Sequence, residues 1–173
     1  IDDIETHHKV GCIGPKILNS DGSFQITSKR SFPHIMTSFY KLIGLSYLFP
    51  KSRIFGKYNL TYLDENQILK VDALSGSFML MPRQVFKAVG NFDESFFMYG
   101  EDLDYCYRIQ KCGYDLVYNP EVSIIHYKGE SVKSAPFDMV GIFYSAMHTF
   151  YQKHRYDFPS WKFIKPFVSF SIY

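Results

Sequence analysis

Apolar positions along this chain fall in short blocks separated by turn residues, and their spacing changes from block to block. Residues 9–18 (KVGCIGPKIL) form a nearly continuous apolar run of strand length, stopped by the turn sequence Asn19-Ser20-Asp21-Gly22. Residues 23–33 are mixed and predict strand or loop. Over 35–48, Met36, Phe39, Tyr40, Ile43 and Tyr47 recur at helical spacing and predict one helix with an apolar face. Residues 50–70, rich in charge, Asn and Tyr, predict a surface loop. Residues 71–81 (VDALSGSFMLM) predict a strand interrupted at Ser75-Gly76-Ser77, where a glycine marks a bulge or a close approach of ligand to backbone. Pro82 then opens a short helix closed by Gly90. A second helix is predicted at about 100–112, with Leu103, Cys106, Tyr107 and Gln110 on one face and Gly113 at its end. Residues 115–118 and 122–126 predict two strands split by Asn119-Pro120, followed by a polar loop over 127–134. A helix over 136–153 carries Val140, Phe143, Tyr144, Met147, Phe150 and Tyr151 on one stripe. Interspersed strands and helices give an α/β class.

Length and composition narrow this picture. The 173 residues make one ordinary domain, and 46% hydrophobic with 21% charged residues is globular composition. The 18% aromatic share is high, from seventeen Phe and fourteen Tyr, and fits a bulky core plus an aromatic sugar or partner surface. A net charge of +2 with no basic stripe excludes a nucleic-acid footprint. Three cysteines without a CxxC pair indicate a reducing compartment and speak against a zinc site. Residues 1–9 lack the apolar run of a secretory leader, and no stretch of eighteen uncharged apolar residues predicts a membrane span. Residues 31–50 and 163–173 come nearest to one; each reads as a partner-facing or buried helix or, alternatively, as a peripheral membrane contact.

Candidate chemistry concentrates at 91–104. Glu101, Asp102 and Asp104 crowd the first turn of a predicted helix behind Phe96-Phe97-Met98-Tyr99. A helix N-terminus favours such charge, so decoration of the first turn explains them structurally. Repulsion and partial burial would also raise a carboxylate pKa toward that of a general base. His126 ends an apolar strand and opens a Gly/Ser loop, where α/β proteins bind ligands. The helix carries the chain outward about 15 Å and the strand returns it about 13 Å, so Asp102 and His126 can face one cleft. A neutral imidazole there is either a divalent-metal ligand or a hydrogen-bonded strand-end histidine.

Ser75-Gly76-Ser77-Phe78-Met79-Leu80 resembles the SGAFML strand of inverting family-2 glycosyltransferases, in particular the bacterial rhamnosyltransferase-like branch. There it leads into RxxFxxVGxFDExFFMYGEDxDxCxRxxKxGY. Here Arg83, Phe86, Val89-Gly90, Phe92-Asp93-Glu94, Phe96 to Asp102, Asp104, Cys106, Arg108, Lys111 and Gly113-Tyr114 stand in the matching places. His126, Gly129 and Ser131 match the family's strand-end histidine and loop, and Gly11, Gly14-Pro15-Lys16 and Asp21-Gly22 its VGxxGPKxxxxDG. The resemblance covers roughly 9–156. It implies an A-type glycosyltransferase fold, a Rossmann-like α/β/α sandwich, and transfer of rhamnose or a similar sugar from a nucleotide-diphosphate donor, with inversion, to a hydroxyl of a glycan or lipid-linked surface-polysaccharide acceptor. It further implies cytoplasmic work, at the inner face of the cell membrane. Asp102 would be the base and Glu101 would shape the acceptor site. Gly76, Ser77, Tyr99 and Gly100 would line the substrate, and Lys128 and Ser131 would sit on a loop that closes over the diphosphate. His126 would help hold Mg²⁺ or Mn²⁺.

The family's first strand, base-ring Asp and strand-end DxD find no counterpart here; Asp102-Leu103-Asp104 spells DxD only at a helix start. Residues 1–156 are therefore expected to be the C-terminal, acceptor-side part of a catalytic domain lacking its N-terminal nucleotide-binding half, with 157–173 as a tail and an exposed sheet edge where the first strands would pair. Two other classes stay open on the residues alone: a non-catalytic carbohydrate-binding or assembly module, and a metal-dependent hydrolase using Asp102 and His126.

Overall fold

Val10–Leu18 forms β1, as its apolar run dictates, and almost all of its residues are buried. The computed structural model describes residues 9–127 and 139–157. After β1, a 3-10 turn at Ile26–Ser28 leads into a two-residue strand, β2 (Lys29–Arg30). Helices α1 (Ile35–Leu42) and α2 (Leu45–Leu48) follow, then β3 (Leu69–Val71) and β4 (Ala73–Leu74). The remaining elements are α3 (Arg83–Val89), α4 (Glu101–Lys111), β5 (Asp115–Ile125) and α5 (Met139–Lys153). One sheet has the order β1-β5-β3, with β1 parallel and β3 antiparallel to β5; β2 and β4 pair antiparallel beside it. The α/β class is confirmed.

Helix α4 centres the core. Leu103, Tyr105, Cys106 and Ile109 are buried with Cys12 of β1, Leu74 of β4 and Leu116 and Tyr118 of β5. Burying each such apolar side chain stabilises the fold by about 1.5–3 kcal/mol. Ala146, Met147, Phe150 and Tyr151 of α5 close the other side of α4. Phe32 joins the layers, with ring centroids 5.3 Å from Tyr107 and 6.4 Å from Phe150. Gly11 permits this packing: a methyl there would lie 2.8 Å from Ile109 Cγ2 and closer still to Tyr114 Cβ. Gly11→Ala is expected to cost about 1–3 kcal/mol, the usual penalty for overpacking, read as a lowered midpoint in denaturant.

Several sequence expectations change. The single helix over 35–48 is two, because Gly44 at φ 81° ends the first and caps the second. Met36, Phe39, Ile43 and Tyr47 of its apolar face are exposed, so that face does not enter the core. The 50–70 segment is not merely a surface loop: Tyr58, Asn59 and Leu60 are buried. It is tied down by the buried Lys29, whose Nζ donates to the carbonyls of Leu60 (2.7 Å) and Leu63 (3.3 Å). Burial pulls the Lys29 pKa down, against the attraction of Glu65 and Asp64. The 71–81 stretch holds the end of β3, then β4 and a turn, with Leu80 returning to Ile13 through two backbone hydrogen bonds of 2.8 and 2.9 Å. The expected two strands over 115–126 are one, β5, because residues 120–122 bulge out between Asn119, opposite Pro15, and Ser123, opposite Lys16. The outer edge of β1 is not bare. Leu80 pairs with Ile13, Gln25 N donates to Ile17 O at 2.9 Å, and Phe24 bridges Leu18. Pro82 and Gly90 flank α3 as expected. Among the described residues all three cysteines are free and no helix is long and apolar enough to cross a membrane. The readings for residues 1–8, Lys128, Gly129, Ser131, Val140 and 163–173 lie outside the described residues or side chains.

Candidate active site

The chain enters α4 through two consecutive left-handed residues, Tyr99 at φ 65° and Gly100 at φ 80°. Glycine takes this conformation freely; tyrosine adopts it at a cost of about 1–3 kcal/mol. The tight entry sets the first turn of α4 against the strand-end turn after β4. Asp102 Oδ2 accepts from Arg30 Nη2 at 2.5 Å and from the backbone N–H of Gly76 at 3.1 Å. Arg30 is fixed in turn: its Nη2 also donates to Leu74 O at 2.7 Å. The Arg30 and Asp102 side chains retain 10% and 14% of their exposure. Asp102 Oδ1 has no hydrogen-bond partner among the described residues, which leaves one carboxylate oxygen for a ligand. Gly76 must be small here, because a Cβ would stand 3.1 Å from Asp102 Cβ. Ser77 Oγ pairs with Ser75 Oγ at 2.6 Å within the same turn.

Glu101 lies beside this pair. Burial and the neighbouring Asp102 raise its carboxyl pKa, and its Oε2 is buried without a hydrogen-bond partner among the described residues. Tyr99, half-exposed, packs its ring 6.3 Å from Phe143 of α5. Thus Asp102, Glu101, Gly76, Ser77, Tyr99 and Gly100 occupy one neighbourhood around the α4 mouth.

Asp104 does not belong with them. One turn into α4, it points into the core at 1% exposure. Arg108 Nε reaches its Oδ2 at 2.7 Å and His154 Nε2 lies 2.8 Å from its Oδ1. Burial pushes the Asp104 pKa up, but the hydrogen bonds from His154 and Arg108 prevail and hold it below the usual carboxylate range. Expecting three mutually repelling carboxylates was therefore wrong by one: helix geometry turns position 104 away from position 102. Other residues of the matching block are scaffold as well. Arg108 donates to the carbonyls of Val89 (2.8 Å) and Asn91 (3.0 Å), and Tyr105 Oη donates to Gly90 O at 3.0 Å. Asp93 is paired with Lys153 of α5. Cys106 Sγ accepts from Leu74 N at 3.4 Å, and burial pushes its thiol up to about 12, so it serves packing rather than reactivity.

His126 stands at the tip of β5, half-buried. Its backbone N–H donates to Leu18 O at 2.9 Å, and its Nδ1 lies 3.2 Å from Oε1 of the buried Gln25. No hydrogen bond joins it to Asp102 among the described residues. The two are tied to one segment: Gln25 holds the imidazole and Arg30, five residues on, holds the carboxylate. Neither is sealed in apolar packing. With Nδ1 donating to Gln25 Oε1, which can only accept, Nε2 of the neutral ring keeps its lone pair. Among the described residues no three His, Cys, Asp or Glu side chains converge as metal ligands. One imidazole does not fit a metal centre by itself, and no chemical step is assigned to Mg²⁺ or Mn²⁺ here. Arg30 and Gln25 were missed in the sequence because an isolated cation and an isolated amide carry no spacing signal; only the pairing of β2 with β4 brings Arg30 to the site.

A mixed sheet flanked by helices, with a carboxylate held at a helix mouth beside a strand-end glycine turn, agrees with an A-type glycosyltransferase fold. Residues 50–137, just over half of the chain, match the family described as Glycosyltransferase like family 2, and the chain belongs to that family. It is similar to the N-acetylglucosaminyl-diphospho-decaprenol L-rhamnosyltransferase of Mycobacterium tuberculosis, with 31% identity over 142 residues, 82% of this chain and 45% of that protein. It is also similar to the rhamnosyltransferase WbbL of Escherichia coli, with 46% identity over 57 residues, 33% of this chain and 22% of that protein. A third relative, the low-salt glycan biosynthesis hexosyltransferase Agl10 of Haloferax volcanii, is 32% identical over 114 residues, 66% of this chain and 32% of that protein. The chain thus spans about half the length of the mycobacterial relative or less of the others.

Proposed function

We propose that the protein containing this chain transfers rhamnose or a similar deoxyhexose from a nucleotide-diphosphate donor to a hydroxyl of a glycan or lipid-linked acceptor in surface-polysaccharide synthesis. Residues 1–156 serve as the acceptor-side part of the catalytic domain, with 157–173 as a tail. The reaction is placed at the cytoplasmic face of the membrane, where nucleotide sugars meet lipid-linked acceptors. The names of the mycobacterial and Escherichia coli relatives favour rhamnose. The observation that carries the reading is the one-sided pinning of Asp102: Oδ2 is clamped by Arg30 and Gly76, while Oδ1 is left for a substrate hydroxyl.

In this reading Asp102 Oδ1 accepts the proton of the acceptor hydroxyl as the oxygen attacks the anomeric carbon. The bond to the diphosphate breaks in the same displacement, which inverts that carbon. Arg30 is a positioning residue, since it acts by fixing the carboxylate. Glu101, beside Asp102, helps shape the acceptor site. Tyr99, Gly100 and Ser77 line the approach. Lys128, Ser131 and His126 are assigned to the diphosphate side.

The test is transfer by the whole protein with a nucleotide-diphosphate rhamnose and a lipid-linked glycan acceptor, followed by NMR of the early product. Inverted anomeric configuration is expected. Retention of configuration would exclude single displacement, and release of free sugar in place of a glycosylated acceptor would exclude transferase action.

A further inference from the structure

Between Asp21 and Asp64 the chain has no acidic residue, but it has Lys29, Arg30, Lys41, Lys51, Arg53 and Lys57. Lys29 and Arg30 are consumed inside the fold, by the Leu60 and Leu63 carbonyls and by Asp102. Lys51, Arg53 and Lys57 are exposed. Around them lie the apolar side chains that the core does not use. Met36 and Ile54 are 53% and 60% exposed, and Phe39, Ile43, Tyr47, Leu48 and Phe49 are likewise exposed. The two sets share one surface: Met36, Tyr40 and Ile54 line the same shallow groove as Arg53, Lys57 and His34. Aromatic packing makes the patch continuous, with Tyr40 and Phe55 rings 4.9 Å apart and Phe49 and Phe55 rings 5.7 Å apart.

Large contiguous exposed apolar surface marks an interaction site. An apolar face fringed by Lys and Arg and free of carboxylates is complementary to an anionic bilayer: the apolar groups enter the headgroup boundary while the cations meet lipid phosphates. A protein partner with an acidic rim would satisfy the cations but does not require so many exposed aliphatic and aromatic tips on short helices. We infer that the surface formed by α1, α2 and residues 49–57 docks this protein on a membrane rich in anionic lipid. The inference rests on this surface alone, and its test reads lipid binding without turnover, so it stands or falls independently of the sugar-transfer reading.

The experiment is flotation of the full protein with vesicles of phosphatidylcholine alone or of phosphatidylcholine with phosphatidylglycerol. Retention is expected on the anionic vesicles and to weaken as salt is raised. Combined K51E, R53E and K57E should weaken it about a hundredfold or more, since each basic group near an anionic surface contributes roughly one factor of five. Combined M36S and I54S should abolish the part that survives high salt. All five positions are on the surface, so unchanged thermal melts will separate lost binding from lost folding. Equal retention on both vesicle types, or full retention by both variants, would overturn the proposal. So would protection of Met36 and Ile54 from exchange without lipid, or a dimer in buffer that M36S and I54S dissolve, which would assign the patch to the rest of the protein or to a second copy.

Discussion

Asp102→Asn is expected to lower the kcat of the whole enzyme by about 10²–10⁴-fold, the range that a positioned general base contributes. Asparagine is nearly isosteric and can still accept from Gly76 N–H and Arg30 through its amide oxygen. It cannot take up a proton at Oδ1. The substitution also removes the counter-charge of a largely buried guanidinium, so the variant will be less stable. Rates are therefore compared on folded protein, at a temperature well below the variant's melting transition. Asp102→Glu is the companion. It keeps the charge but moves the carboxylate by one methylene in a site that Gly76 fits closely, and misplacement of that order costs a large factor in rate. Undiminished turnover by folded Asp102→Asn would remove Asp102 from the chemistry.

The second large effect is on stability. Asp104→Ala is expected to destabilise the fold by about 3–5 kcal/mol, because it removes the buried carboxylate that pairs with Arg108 and takes from His154 Nε2 its hydrogen-bond partner. For a chain of this size that is a melting-point drop of roughly 6–20 °C. The pH dependence follows from the direction of the Asp104 shift. Its folded-state pKa lies below the usual carboxylate range. Its contribution is thus complete above the ordinary Asp value and is lost as pH falls through the lower folded value. The gap between parent and Asp104→Ala melts should be widest near neutrality and should narrow under strong acid. A gap that did not change between neutrality and strong acid would show that the carboxylate's ionised form is not what the core requires.

These two neighbours show how far sequence carried the reading. At one-residue resolution a first turn with three carboxylates reads as one cluster. The structure divides it, since α4 presents 102 to the β4 turn and 104 to α5. The strand at 9–18, both ends of α3, and the α4 helix with its apolar face were legible because spacing and punctuation agree there. The break at Gly44 was not, since a helical apolar pattern continues across it and only the backbone angle betrays the turn. That same pattern misled about burial: Met36, Phe39 and Ile43 repeat as a core face would, yet no element covers them among the described residues. Arg30 and Lys29 were invisible because their roles depend on contacts thirty or more residues away.

The outward loop of residues 120–122 in β5 has a consequence for tolerated length variation. Pairing with β1 resumes at Ser123 opposite Lys16 and runs on to Ile125 opposite Leu18, which is what delivers the imidazole to the sheet's end. Insertions or deletions confined to the protrusion can drift without displacing that ring, because the ladder beyond re-forms from its own register. A single residue gained between Ser123 and His126 would instead rotate the side chain to the opposite face of the sheet.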